Sequence, residues 1–189
     1  DDALAGYENV HNAQVIENLM DRAFLKEVKS LADNCESKVI KNWLIAYFMF
    51  AYLRSALRAK FQQTKIDLFR TIYWENPYIR FEDLSEIVSG ADEKVVETIV
   101  HLGFRELLPH DVEYKNDPLF LSEMEKNMDN YLMKFLRPYR IQSFGSEPVF
   151  GFLYAKYTDV RNLRIILHGK YFQISENEIK SKLRECYYE

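Results

Sequence analysis

Glycine and proline are scarce, at 6 and 5 in 189 residues. An all-β fold needs turn chemistry every ten residues or so, and this chain does not supply it. Cysteine is scarcer still. Cys35 and Cys186 lie far apart without neighbouring partners, which excludes a dense disulfide framework and favours a reduced, cytosolic setting. The four histidines, His11, His101, His110 and His168, show no ligand spacing, so no metal site is expected. No charge of one sign dominates: 25 Lys+Arg against 29 Asp+Glu leave a net charge of −4. A nucleic-acid binder needs a basic surplus or stripe, and none is present. The longest apolar run, from Trp43 to Leu53, stops at Arg54 and is far short of the roughly 20 residues a membrane span requires. There is no basic stretch followed by an apolar one at the start, hence no signal peptide, and the first residue is Asp1 rather than Met. The chain is read as an excised piece of something longer.

Large side chains are plentiful. Thirteen Phe, thirteen Tyr and two Trp make 15% of the chain, enough for a thick core or a contact surface. Helical spacing accounts for most of them. Val15, Leu19, Ala23, Phe24 and Val28 mark an amphipathic helix over about 14–31, and Val39 through Phe61 a longer one from Ser37 to Gln62. Thr64-Lys65-Ile66-Asp67 has the form of a helix start, and Asn76-Pro77 closes the short helix that it opens. Short helices are expected over 81–88 and 92–102, with Gly103 as the cap of the second. A charged connection over 109–117 leads to Asp117-Pro118, an N-cap and first-turn pair, and a helix to Leu136. Gly145-Ser146-Glu147-Pro148 opens another long helix that ends near Gly169. Ser175 to Glu178 is a capping box, and a terminal helix is expected to carry Ile179, Leu183 and Tyr187. Nothing alternates with period two, so the fold class is all-α.

The chain repeats itself. Leu53-Arg54-Ser55-Ala56-Leu57-Arg58-Ala59-Lys60-Phe61 and Leu163-Arg164-Ile165-Ile166-Leu167-His168-Gly169-Lys170-Tyr171 share one pattern at an offset of 110, and Met20-Asp21 recurs as Met128-Asp129 at an offset of 108. This predicts two similar helical lobes, 1–108 and 109–189, with a helical hairpin at 81–104 inside the first. Each Leu of the motif is expected to face its core. The arginines invite two readings. Arg54 and Arg164 suit an anion, phosphate or carboxylate. Alternatively each pairs within its own lobe, Arg54 with Asp21 and Arg164 with Asp129, which spares the cost of a half-buried charge without a partner; Arg58 and Lys170 belong to the same intralobe motif. The second reading is preferred.

Catalytic signatures are absent: there is no Gly-rich phosphate loop, no Gly-x-Ser-x-Gly and no His-Glu-x-x-His. The 81–108 segment has helix-turn-helix spacing, but its second helix opens Asp92-Glu93-Lys94 and carries Glu97, charges that repel DNA. It is read as a packing hairpin. No catalytic residue, cofactor or metal is expected.

Two stretches resemble a known family. Glu147-Pro148-Val149-Phe150-Gly151-Phe152-Leu153 with Arg161-Asn162-Leu163-Arg164-Ile165-Ile166-Leu167-His168-Gly169-Lys170 resembles the C-terminal signature of the C subunit of the archaeal and bacterial V-type (A-type) ATPases, equivalent to the eukaryotic d subunit. Leu19 to Phe24 and Leu53 to Lys60 resemble the same motif in the preceding lobe. The resemblance implies a three-lobed, funnel-like subunit of which this chain has two lobes. It also implies a non-catalytic rotor linker, peripheral on the cytoplasmic face, joining the central-shaft subunits to the membrane proteolipid ring and passing torque for proton or sodium transport. A free-standing helical adaptor or repeat scaffold is the alternative.

Overall fold

The computed structural model of the chain describes residues 13–109 and 118–188. Residues 110–117 of the expected 109–117 connection, with the Asp117 N-cap, His11 and His110, lie outside them. Among the described residues there are eight α-helices and two 3-10 turns, and no strand. In chain order the helices are α1 (Ala13–Asp33), α2 (Lys38–Phe61), α3 (Ile66–Arg70), α4 (Phe81–Ser89), α5 (Asp92–His101), α6 (Pro118–Leu136), α7 (Glu147–Tyr171) and α8 (Glu176–Lys182); the 3-10 turns are Arg105–Leu107 and Arg137–Ile141. The all-α expectation holds.

α2 is the spine. Its 24 residues span about 36 Å, and buried side chains take up most of its circumference: Trp43, Phe48, Phe50, Tyr52, Leu53, Ala56, Leu57. The face of Arg54 and Arg58 stays partly open. A helix this broadly apolar must be largely enclosed. α1, α4 and α6 all pack against it, while α7 meets it near Trp43. Ser37 caps its start, accepting from the Ile40 N–H at 3.3 Å and donating to Glu147 at the head of α7. That bond lowers the Glu147 carboxyl from its ordinary value.

Aromatic rings fill the space between helices. Phe48 meets Tyr52, Trp74 and Tyr78 edge-on, with centroids 5.1–5.6 Å apart. Phe50 meets Phe104 at 5.0 Å and Tyr131 at 5.3 Å. These are preferred quadrupole geometries, each adding to simple burial. One apolar cluster runs from Leu25 to Tyr187, so the two sequence halves share a core across the 108/109 division. The hairpin of α4 and α5 buries Leu84, Ile87, Val95 and Ile99, in keeping with packing. Gly103 sits at φ +84° after α5, where a glycine cap was expected.

Three expectations are corrected. Thr64 does not cap α3; Lys65 holds that position without a side-chain bond. Leu53 is fully buried, but Leu163 is 57% exposed, because α7 is covered on one side only. The terminal helix stops at Lys182, and Leu183 leaves in an extended conformation at ψ 142°. Buried amides capture the chain beyond it. Asn162 pairs with the Arg184 backbone twice, donating from Nδ2 to the carbonyl at 3.0 Å and accepting the N–H on Oδ1 at 2.9 Å. Asn130 Oδ1 accepts the Glu185 N–H at 2.9 Å, and the Arg137 guanidinium donates to the Cys186 carbonyl. Continuing the helix would forfeit these bonds. Replacing Asn162 with leucine, of similar size, is expected to cost about 1–3 kcal/mol by stranding the Arg184 N–H and carbonyl. Hydrogen exchange at the Arg184 amide should accelerate well before global unfolding.

Candidate functional site

The repeat signalled in the sequence has a local structural counterpart. After α2, the N–H groups of Gln62, Gln63 and Thr64 bond the carbonyls of Arg58, Lys60 and Ala59. After α7, those of Phe172, Gln173 and Ile174 bond the carbonyls of His168, Lys170 and Gly169, at the same offset of 110. Gln63 and Gln173 both take left-handed backbones, φ 53° and 56°. One residue after each turn, Lys65 and Ser175 begin the short helices α3 and α8. Ala59 occupies the position of Gly169, where an added Cβ would stand 2.5 Å from Ile179.

The charged residues do not pair as expected. Among the described residues no ion pair joins Asp21 to Arg54 or Arg164 to Asp129. Arg54 reaches across to the second half, with Nη2 3.4 Å from Asp129 Oδ1, while its Nε is buried without a partner. Arg58 does the same, placing Nε and Nη2 at 2.9 and 2.6 Å from Glu125 Oε1. α6 brings Asp129 and Glu125 within reach of Arg54 and Arg58, whereas Asp21 of α1 makes no ion pair with either among the described residues. Asp129 is buried and gathers two further cations, Arg161 Nη1 at 2.7 Å and Arg184 Nε at 3.0 Å. Three guanidinium groups thus surround one carboxylate. Burial works against the charge of Arg161, but Asp129 and the Tyr157 and Tyr154 hydroxyls outweigh it and its pKa is raised. Tyr154 donates to the Asp129 backbone carbonyl at 3.4 Å, and burial followed by the Asp129 charge pushes its hydroxyl pKa up. The cluster ties α2, α6, α7 and the terminal segment together at one point.

The remaining candidates stay apart. Asp21 is exposed and faces a polar cleft of about 210 Å³ between α1, α2 and α3, shared with Glu17, Asn18, Arg58, Gln62 and Thr64. Burial, then Glu17, raise its pKa, against the pull of Arg58. Arg164 and Lys170 are exposed and in no ion pair among the described residues. Sequence reasoning missed Glu125, Arg161 and Arg184 as partners. Arg161 stood inside the signature stretch, but Arg184 was assigned to a helix that ends before it.

The outer face of α7 carries an apolar stripe. Val149, Phe152, Leu153, Tyr157, Val160, Leu163 and Leu167 are all exposed and helical periodicity sets them on one side, with the Lys156 ammonium lying over the Phe152 ring at 5.5 Å. Exposed apolar stripes of this kind mark contact surfaces. No helix among the described residues is long and apolar enough to cross a membrane.

Comparison with known proteins bears on what such a body belongs to. Residues 1–182 match the family described as ATP synthase (C/AC39) subunit. This chain belongs to that family. It is 25% identical over 174 residues to the C subunit of a V-type sodium ATPase of Enterococcus hirae, covering 92% of this chain and 52% of that protein. It is 24% and 25% identical to the C subunits of the A-type ATP synthases of Methanobrevibacter smithii and Methanothermobacter thermautotrophicus, covering 90% of this chain and 46% of each of them. The C/AC39 chain thus spans about half the length of these relatives. No solved structure matches it.

Proposed function

We propose that this chain is part of a non-catalytic rotor-linker subunit of a V/A-type ATPase, built of two similar helical lobes at 1–108 and 109–189. It joins the central-shaft subunits to the membrane proteolipid ring, on the cytoplasmic face, and transmits torque between ATP chemistry and proton or sodium movement. The observation that supports this most is the family match over 1–182, together with relatives that are named as the C subunits of such complexes. The packing is consistent with the task. A torque link must resist twisting, and a spine helix enclosed by edge-on aromatic contacts, with a carboxylate bridging four segments, is stiff. The apolar stripe on α7 supplies a contact surface of the sort an assembled subunit needs. Pull-down from detergent-solubilised membranes, with the complete subunit tagged, tests the reading. The proteolipid ring and the central-shaft subunits are expected to co-purify. A complete subunit that retains neither overturns the proposal in favour of a free-standing adaptor.

A further inference from the structure

The two helix pairs of the repeat are connected differently. α1 runs on to Asp33, and residues 34–37, none of them large and apolar, carry the chain to α2. Pro138 lacks the N–H that a further α-helical turn needs, so α6 stops at Leu136 and the longer stretch 137–146 leads to α7. That stretch is ordered. The Gln142 N–H donates to the Tyr139 carbonyl at 3.1 Å, and the Gln142 side-chain amide donates to the Phe144 carbonyl at 2.6 Å. Gly145 turns the chain at φ +109°, where a Cβ would stand 2.8 Å from that amide and 2.6 Å from Glu147 Oε2. Arg137 ties the base of the loop to the terminal segment, donating to the Cys186 carbonyl at 2.7 Å and pairing with Glu185 at 3.0 Å.

A turn held in this way keeps two apolar side chains in solvent. Ile141 is 85% and Phe144 86% exposed, the highest values for large apolar side chains among the described residues, and neither belongs to the core. The charge beside them is one-sided. Lys134, Arg137 and Arg140 fall between Asn130 and Ser146 with no acidic residue among them, and Glu185, paired to Lys134 and Arg137, offsets only one of the three. The joint between the lobes makes no use of such a connection. α6 meets α2 through Trp43, Phe50, Arg54 and Arg58 along the helices, and leaves Asn34 and Glu36 of the α1–α2 connection exposed. A further lobe packed on the same pattern leaves 137–146 open too. Two side chains on a convex tip also fall far short of the roughly 800 Å² per partner that a specific protein interface buries. They suit a bilayer boundary, where an aromatic ring and an aliphatic chain enter the headgroup region and basic side chains stay with the lipid phosphates.

We infer that the 137–146 loop touches an anionic lipid bilayer directly, with Ile141 and Phe144 inserted among the headgroups and the exposed Lys134 and Arg140 drawn to lipid phosphates. Two inserted side chains and a small basic cluster give reversible binding, not a permanent anchor. Direct lipid contact goes beyond the rotor-linker reading and does not depend on it.

Co-sedimentation of the whole chain with vesicles of phosphatidylcholine mixed with phosphatidylserine tests the inference. Binding is expected, at least about fivefold weaker on phosphatidylcholine alone and weakened by added salt. Ile141→Ser and Phe144→Ser together should weaken it at least about tenfold, whereas Leu163→Ser on the α7 stripe should leave it within about twofold of the parent. All three positions are exposed, so circular dichroism and the melting temperature should stay within a degree or two of the parent. Phe144→Trp locates the contact. Trp43 is buried and Trp74 packs against the core, so brominated lipid should quench this variant strongly and the parent hardly at all. A chain that sediments with neither vesicle leaves the loop to a protein partner and overturns the inference. So does binding that Leu163→Ser weakens as much as the loop variant, or a Phe144→Trp ring that brominated lipid does not quench.

Discussion

Replacing Asp129 with alanine should lower stability by about 3–5 kcal/mol, because it leaves buried charge without its counter-ion. For a chain of this length that is a fall in melting temperature of roughly 6–20 °C. The carboxylate is only 6% exposed and is shared among Arg54, Arg161 and Arg184. Removing it removes three attractions and leaves three cations facing one another. Asp129→Asn, which keeps the shape but not the charge, should recover little of the loss. Removing one arginine is a different experiment. Arg54 stands at the longest of the three distances, and its Nε is already buried without a partner. Arg54→Met should therefore cost less than about 1 kcal/mol, since it relieves a stranded donor while two cations remain on Asp129. Thermal melts of the three variants decide this. Equal losses for Asp129→Ala and Arg54→Met would mean that the cluster is not centred on the aspartate.

The helices were legible because burial imposes period, and the period of α1, α2, α6 and α7 survives in their sequences. Their joints were legible where backbone chemistry is local, as at Gly103 after α5 and Ser175 before α8. The failures share a cause. Leu-Arg-x-aliphatic-Leu reads alike at 53 and 163, yet a periodic stripe does not reveal whether a neighbour covers it. Leu53 finds α6 and Leu163 finds nothing among the described residues. In the same way, Asp21 and Arg54 share a lobe in sequence, but the partner of Arg54 was fixed by which helix the apolar faces brought onto α2. The end of α8 was illegible for another reason. Ile179, Leu183 and Tyr187 have helical spacing, and what breaks the helix is a set of bonds from Asn130, Arg137 and Asn162, each more than twenty residues away. Long-range side-chain capture of a backbone leaves no trace in local propensity.

Trp43→Ala is the second large effect expected, and it separates a shared core from two cores in contact. Trp43 is buried between the halves. Its ring stacks on Tyr47 at 5.4 Å, meets Phe150 and Tyr154 edge-on at 4.8 and 5.0 Å, and bonds the Leu132 carbonyl. Truncation to alanine loses the transfer energy of the ring and leaves a cavity between α2, α6 and α7, about 3–5 kcal/mol in all. Trp43→Phe keeps most of the packing and should cost about a third of that, chiefly the lost bond and a smaller void. Trp74 remains as the only tryptophan and packs on Phe48 at 5.4 Å, so its fluorescence follows the first half. If the cluster from Leu25 to Tyr187 is one cooperative unit, urea unfolding of Trp43→Ala shifts Trp74 fluorescence and helical circular dichroism together to a lower midpoint. If the halves owe their cooperation to Trp43 alone, the two signals part, with helix lost from α6 and α7 before Trp74 reports. Coincident curves are expected, because the Phe50–Tyr131 contact and the Arg54–Asp129 and Arg58–Glu125 pairs still join α2 to α6 after the indole is gone.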